Sequence, residues 1–203
     1  MRSVRIAIGA ALAIAGAACA SEPTGDIRTA PVPETVTVTA TPSEEPTGDV
    51  VSTPACGKYQ GGEEGVFAHL TDVRVARNFG FDRIVFEFQT VDGPEQGVPR
   101  YQLSPEEPPF REDGSGSPIE VGGEFFTRVI FHGASGYDME AQEPTYRGPR
   151  EFEPGLEVIS ALTETGDFEA TLSWIVGLEE NICPQVSTLF DPNRLVIDFP
   201  NQL

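Results

Sequence analysis

Lysine is almost missing from this chain: Lys58 stands alone among 203 residues, and it joins twelve arginines against 32 acidic side chains. From Ala55 to Leu203 ten basic residues meet twenty-six acidic ones, a net charge of −16. Such a surface repels phosphate backbones and anionic headgroups, which disfavours nucleic acid as a partner and direct adsorption to a bilayer. Its simplest role is solubility. Histidine occurs twice, and the three cysteines include no C-x-x-C spacing, so a zinc site is a poor reading. Neither "REDGSGSP" nor "LFDPNR" has the spacing of a calcium loop, so no metal or cofactor is expected. A mature membrane-spanning helix is missing as well. The apolar run Ile6 to Ala18 holds thirteen residues, against the roughly 20 that a span requires.

What the first residues do contain is an export signal. Arg2 and Arg5 precede that apolar run, and small residues follow. Two cleavage readings meet at its end. Gly16-Ala17-Ala18-Cys19 is similar to a bacterial lipobox, in which the cysteine is diacylated and becomes the new N-terminus, although Gly16 stands where an aliphatic residue is usual. Ala18-Cys19-Ala20 instead fits ordinary signal peptidase, which would discard the cysteine and release the protein. Residues 20–54, rich in Thr, Pro, Val, Glu and Ser and without an aromatic side chain, cannot bury enough apolar surface to offset their ordering entropy. They read as a disordered tether, open to O-glycosylation, that holds a domain off a membrane. A tether in that position favours lipidation at Cys19, with two acyl chains as stable anchoring requires. The expected division is a signal peptide over 1–18, a lipidated N-terminus and tether over 19–54, and one folded domain over 55–203. The expected location is the outer face of the cytoplasmic membrane, with secretion as the alternative.

Cys56 opens the folded segment and Cys183 lies near its end, so in an oxidising compartment the two are expected to pair. That pairing leaves Cys19 free to carry lipid. Between them the dominant period is two. Val73 and Val75 alternate with charges; Phe81, Ile84, Phe86 and Phe88 fall largely in step; Thr127, Val129 and Phe131 oppose Phe126 and Ile130, as in a strand covered on both faces. Phe168, Ala170, Leu172, Trp174 and Val176 form another series, which predicts Trp174 in the core beside Phe168, and Leu195, Ile197 and Phe199 form the last. Around "FEPGLEVISALTE" a helix through Leu156, Ile159 and Leu162 and a strand through Val158, Ser160 and Leu162 fit equally. With Gly, Pro, Asp and Asn clusters between the runs, the pattern predicts an all-β fold, a sandwich or small barrel. Arg194 and Asp198, on one face of the last strand, are expected in cross-strand charge pairs.

The motifs "GFDRIVFEF", "RVIFHGASGYD", "GDFEATLSWIVGL" and "DPNRLVIDF", in that order between Gly65 and Phe199, resemble the AMIN-like domain of envelope lipoproteins in high-GC Gram-positive bacteria. The resemblance implies a β-sandwich. By analogy with the AMIN modules of cell-wall amidases, it also implies a non-catalytic role at peptidoglycan or another cell-wall component.

For nucleophilic catalysis the best local set is His132, Ser135 and Asp138, but "FHGASGYD" is no G-x-S-x-G elbow and His132 continues a strand. His69 also reads as a strand residue. Glycan sites combine aromatic faces with fixed polar groups, and "GYDMEAQEPTYRGPREF" supplies Tyr137, Tyr146, Arg147, Arg150 and Phe152 as ligand-binding candidates. The arginines suit stem-peptide carboxylates. The competing reading folds these aromatics back onto the sheet. The partner is then a cell-wall glycan or, alternatively, an envelope protein, with a hydrolase third.

Overall fold

The alternating runs become strands in the computed structural model, which describes residues 56–201. The signal peptide, Cys19 and the tether lie outside the described residues. In chain order the strands are β1 Tyr59–Gly61, β2 Phe67–Asn78, β3 Phe81–Asp92, β4 Arg100–Pro105, β5 Phe110–Arg111, β6 Pro118–Ile119, β7 Phe125–His132 and β8 Ala134–Ser135. They continue with β9 Tyr137–Asp138, β10 Glu143–Pro144, β11 Glu151–Phe152, β12 Ile159–Phe168, β13 Thr171–Leu178, β14 Gln185–Leu189 and β15 Asn193–Pro200. No helix occurs among the described residues. The ambiguous segment around Ile159 is therefore extended: β12 pairs with β13 from Ile159 opposite Leu178 to Phe168 opposite Thr171.

Two sheets form the sandwich. One has the order β1-β4-β7-β13-β12-β11, the other β14-β15-β3-β2-β8, and short ribbons β9/β10 and β5/β6 sit outside them. Phe86 and Phe88 of the second sheet meet Phe131 of the first edge to face, with ring centroids 5.1 and 5.0 Å apart, and Phe86 also meets Trp174 at 5.7 Å. These contacts seal the two inner faces, where Leu70, Ile84, Leu103, Val129, Leu172, Leu195, Ile197 and Phe199 are all buried. The outer face of β13 is buried too. Phe110 packs on Phe126 at 4.8 Å, the Asp113 N–H bonds the Thr165 carbonyl at 2.8 Å, and Ser173 donates to the Asp113 carboxylate. A Cβ on Gly177 would run into the Gly122 carbonyl, so glycine is what lets this covering segment lie flat on the sheet.

Two expected positions differ. Strict alternation places Asp82, not Phe81, in step with Ile84, Phe86 and Phe88. Phe81 is half-buried and carries the Arg83 guanidinium over its ring at 4.9 Å, while Asp82 is fully buried and its Oδ2 accepts the Val158 and Ile159 N–H groups at 2.7 and 3.3 Å. Asp82 thus pins β3 to the start of β12. Phe168 is likewise displaced, because Glu169 and Ala170 both adopt positive φ, 50° and 56°, and turn the chain between β12 and β13. What read as one strand is a two-residue hairpin, and Phe168 at its tip is 62% exposed. Trp174 and Leu172 keep their core positions.

Of the two terminal-strand charges, Asp198 pairs across strands with Arg83 through bonds of 2.6 and 2.7 Å. Arg194 instead donates to the Pro192 carbonyl at 3.1 Å. Cys56 and Cys183 are bonded, with Cα atoms 5.1 Å apart. They stand at the pole where Pro105 pairs with Thr127. The opposite pole is marked by the His132–Thr171 pair, five residues along β7, about 17 Å away at strand rise.

Candidate functional site

The hairpin pole is built by hydrogen bonds that bring distant segments together. The Ala170 carbonyl accepts the N–H groups of Gly133 at 2.8 Å and Ala134 at 3.1 Å, tying the β12–β13 tip to the β7–β8 corner. Gly133 lies at φ 80° against the Val66 carbonyl, a conformation and an approach that no side chain allows. Asp167 holds the next turn: its Oδ2 accepts the Gly136 N–H at 2.8 Å and the Ser135 hydroxyl at 3.1 Å. The Gly136 carbonyl in turn accepts Thr145 N–H at 2.9 Å and Tyr146 N–H at 3.0 Å, which folds the long loop back onto the sandwich. Asp138 closes a tight turn by accepting the N–H groups of Glu140 and Ala141 at 2.8 and 2.9 Å. The Ala141 bond foremost, then that of Glu140 and the nearby His69, holds its carboxyl below the usual carboxylate range.

Glu169 and Ala170 make this hairpin with left-handed backbone that normally selects Asn or Gly. Ala170→Gly is therefore expected to raise stability by about 1 kcal/mol, seen as a higher midpoint in urea denaturation; a lower midpoint would contradict the strain assignment.

Two clefts open on either side of a wall made by Tyr137, Asp167 and Phe168, which line both. The first, about 550 Å³, is polar and runs between the β5/β6 ribbon and the edge of β12. Glu112, Arg150, Glu151, Glu164 and Ser115 face it. The second, about 630 Å³, is apolar, with Phe67, Val91, Met139 and Ala170 on its walls. In the polar cleft Glu164 is almost covered, and its one cation, Arg150, stands 3.6 Å away and mostly exposed. Burial pushes the Glu164 carboxyl up; Arg150 opposes this and Asp167 adds to it. A carboxyl raised in the folded state contributes stability that is complete below its unfolded pKa, about 4.3, and is lost as pH rises through the folded value. Glu164→Gln is thus expected to melt higher than the parent at neutral pH, with the gap shrinking as the pH falls through the raised folded value and closed once it is below the ordinary carboxylate range; a pH series of thermal melts checks it.

The candidates named from the sequence separate here. Tyr137 and Arg150 reach the polar cleft. Tyr146 does not: it is 7% exposed, its ring lies 6.1 Å from Trp174, and its hydroxyl donates to the Pro149 carbonyl at 2.5 Å. Burial pushes that hydroxyl up to about 12, as befits a core tyrosine. Phe152 likewise packs on Trp174, at 6.4 Å. Arg147 is turned away, donating to Glu143 and to the Pro144 carbonyl at 3.2 Å each. His132, Ser135 and Asp138 make no catalytic chain, since Ser135 is engaged by Asp167 and the Tyr137 backbone, whereas His132 faces Glu63, Glu64 and Arg100. Sequence reasoning missed Phe168, Asp167, Glu164 and Met139. Only Met139 carried a signal, as the one methionine after Met1, set in an acidic loop.

Among the described residues no group of three His, Cys, Asp or Glu side chains is placed to hold a metal ion. Clefts of this kind on an all-β sandwich, lined by aromatic faces and a few fixed polar groups, have the form of ligand-binding sites. A model of the AMIN-like domain family matches residues 68–201, and the chain belongs to this family. No curated protein and no solved structure matches it.

Proposed function

We propose that this chain is a non-catalytic cell-envelope lipoprotein, held through acylated Cys19 on the outer face of the cytoplasmic membrane, whose polar cleft binds a peptidoglycan glycan. The observation that carries the reading is the convergence of Tyr137 and Phe168 with Glu112, Glu164, Asp167 and Arg150 on one cleft of about 550 Å³. Sugar hydroxyls donate to carboxylates, the aromatic rings supply faces for the C–H side of a pyranose, and the mostly exposed Arg150, paired with Glu164 at 3.6 Å, can also meet a lactyl or stem-peptide carboxylate. Family membership supports the setting, since AMIN-like domains belong to envelope proteins and serve as binding modules. Residues 20–54 reach at most about 120 Å if fully extended.

Co-sedimentation of the purified full chain with cell-wall sacculi tests the glycan site. Retention is expected, with a loss of about tenfold in affinity for Tyr137→Ala and for Arg150→Ala. Full recovery in the supernatant would sink the reading. Intact mass of the protein taken from membranes tests the anchor: diacylglycerol on Cys19 is expected, and a start at Ser21 would overturn it.

A further inference from the structure

Eight large apolar side chains stand out from the described surface, and four of them, Val91, Tyr137, Met139 and Phe168, gather around the second cleft. Met139 is 79% exposed and Phe168 62%. Scattered apolar residues are ordinary on a surface, but a concave cluster of them marks a contact site. The rim adds a sign. Asp138, Glu140, Asp167 and Glu169 surround the apolar floor, and neither lysine nor arginine lines the cleft. We propose that this cleft docks a peptide segment of a partner protein, in which one large apolar residue enters between Phe67, Met139 and Phe168 while flanking lysines or arginines meet the acidic rim.

Charge decides the occupant. The chain's own residues 20–54 carry six acidic side chains and one arginine, so they are repelled by the rim. A second copy of the domain brings a net charge of −16 from residues 55–203 and is repelled as well. Peptidoglycan stems, rich in carboxylate, are repelled by this rim, which has no arginine to receive them. An apolar anchor in a desolvated pocket supplies affinity, and the surrounding carboxylates supply selectivity and rapid encounter.

The two clefts share the wall of Tyr137, Asp167 and Phe168 but can be tested apart, because Met139 and Glu140 line only this cleft, whereas Arg150 and Glu112 line only the other. A random-peptide display library panned on the full chain tests it. Enrichment of an aromatic or aliphatic residue flanked by basic residues is expected. A selected peptide is expected to bind at least ~10-fold more weakly to Met139→Ser, to weaken with Glu140→Lys and with added salt, and to ignore Arg150→Ala. No enrichment above background, enrichment of acidic or uncharged sequences, or affinity unmoved by Met139→Ser and Glu140→Lys would each overturn the proposal, and sacculus retention is read separately.

Discussion

Replacing both Cys56 and Cys183 with serine lowers the unfolding free energy by about 5 kcal/mol, because the bond closes a loop of 127 residues and the unfolded chain regains the entropy that this closure removes. Few domains of this size have more than 5–15 kcal/mol in total, so the variant is expected to sit near its stability threshold. The location of the bond sharpens the expectation. Cys56 lies just before the edge strand β1, which pairs on one side only, with β4. Without the bond, that edge is held by three residue pairs. Urea denaturation of parent and variant, each with and without reductant, is the measurement. Reductant should bring the parent down to the variant and leave the variant unchanged; a variant within 1 kcal/mol of the oxidised parent would remove the disulfide from the account of stability.

The second large effect belongs to Trp174, which is completely buried and touched by Phe86 of β3, Phe152 of β11 and Tyr146 of the loop between β10 and β11. Trp174→Ala is expected to cost about 3–5 kcal/mol, the transfer term of the lost ring plus the cavity it leaves. The indole N–H adds a distinguishing feature, since it has no hydrogen-bond partner. Trp174→Phe deletes that orphaned donor while keeping an aromatic ring, so its cost should be well under half that of the alanine variant. Equal losses for the two would mean that the N–H finds a partner in solution, and equilibrium denaturation of both variants decides the matter.

Much of this core was legible residue by residue. The series Ile84-Phe86-Phe88, Val129-Phe131 and Leu195-Ile197-Phe199 alternate as they do because successive side chains on a strand point to opposite faces, a property of local backbone geometry. Cysteine positions at the two ends of the domain indicated the pairing that joins them. Phe168 was not legible. Its series continued unbroken through Glu169 and Ala170, and nothing in "DFEAT" resembles Asn-Gly or Asp-Gly, the residues that ordinarily announce a two-residue hairpin. The same limit applied to Tyr146: a tyrosine in a polar loop suits a ligand or a core equally until the bonds from Gly136 draw the loop inward.

By itself, then, the sequence determined an all-β domain with strands of two distinct faces, a membership that residues 68–201 carry, because side-chain period and turn residues act within a few positions of one another. The tertiary structure alone decided where the two clefts open. Phe67, Val91, Met139 and Phe168 span residues 67 to 168 and meet only because strand register, one hairpin in left-handed backbone and the Asp167 carboxylate bring them to a single pole. Register and long-range hydrogen bonds are set by the packing of whole sheets against each other, and no local pattern of residues encodes them.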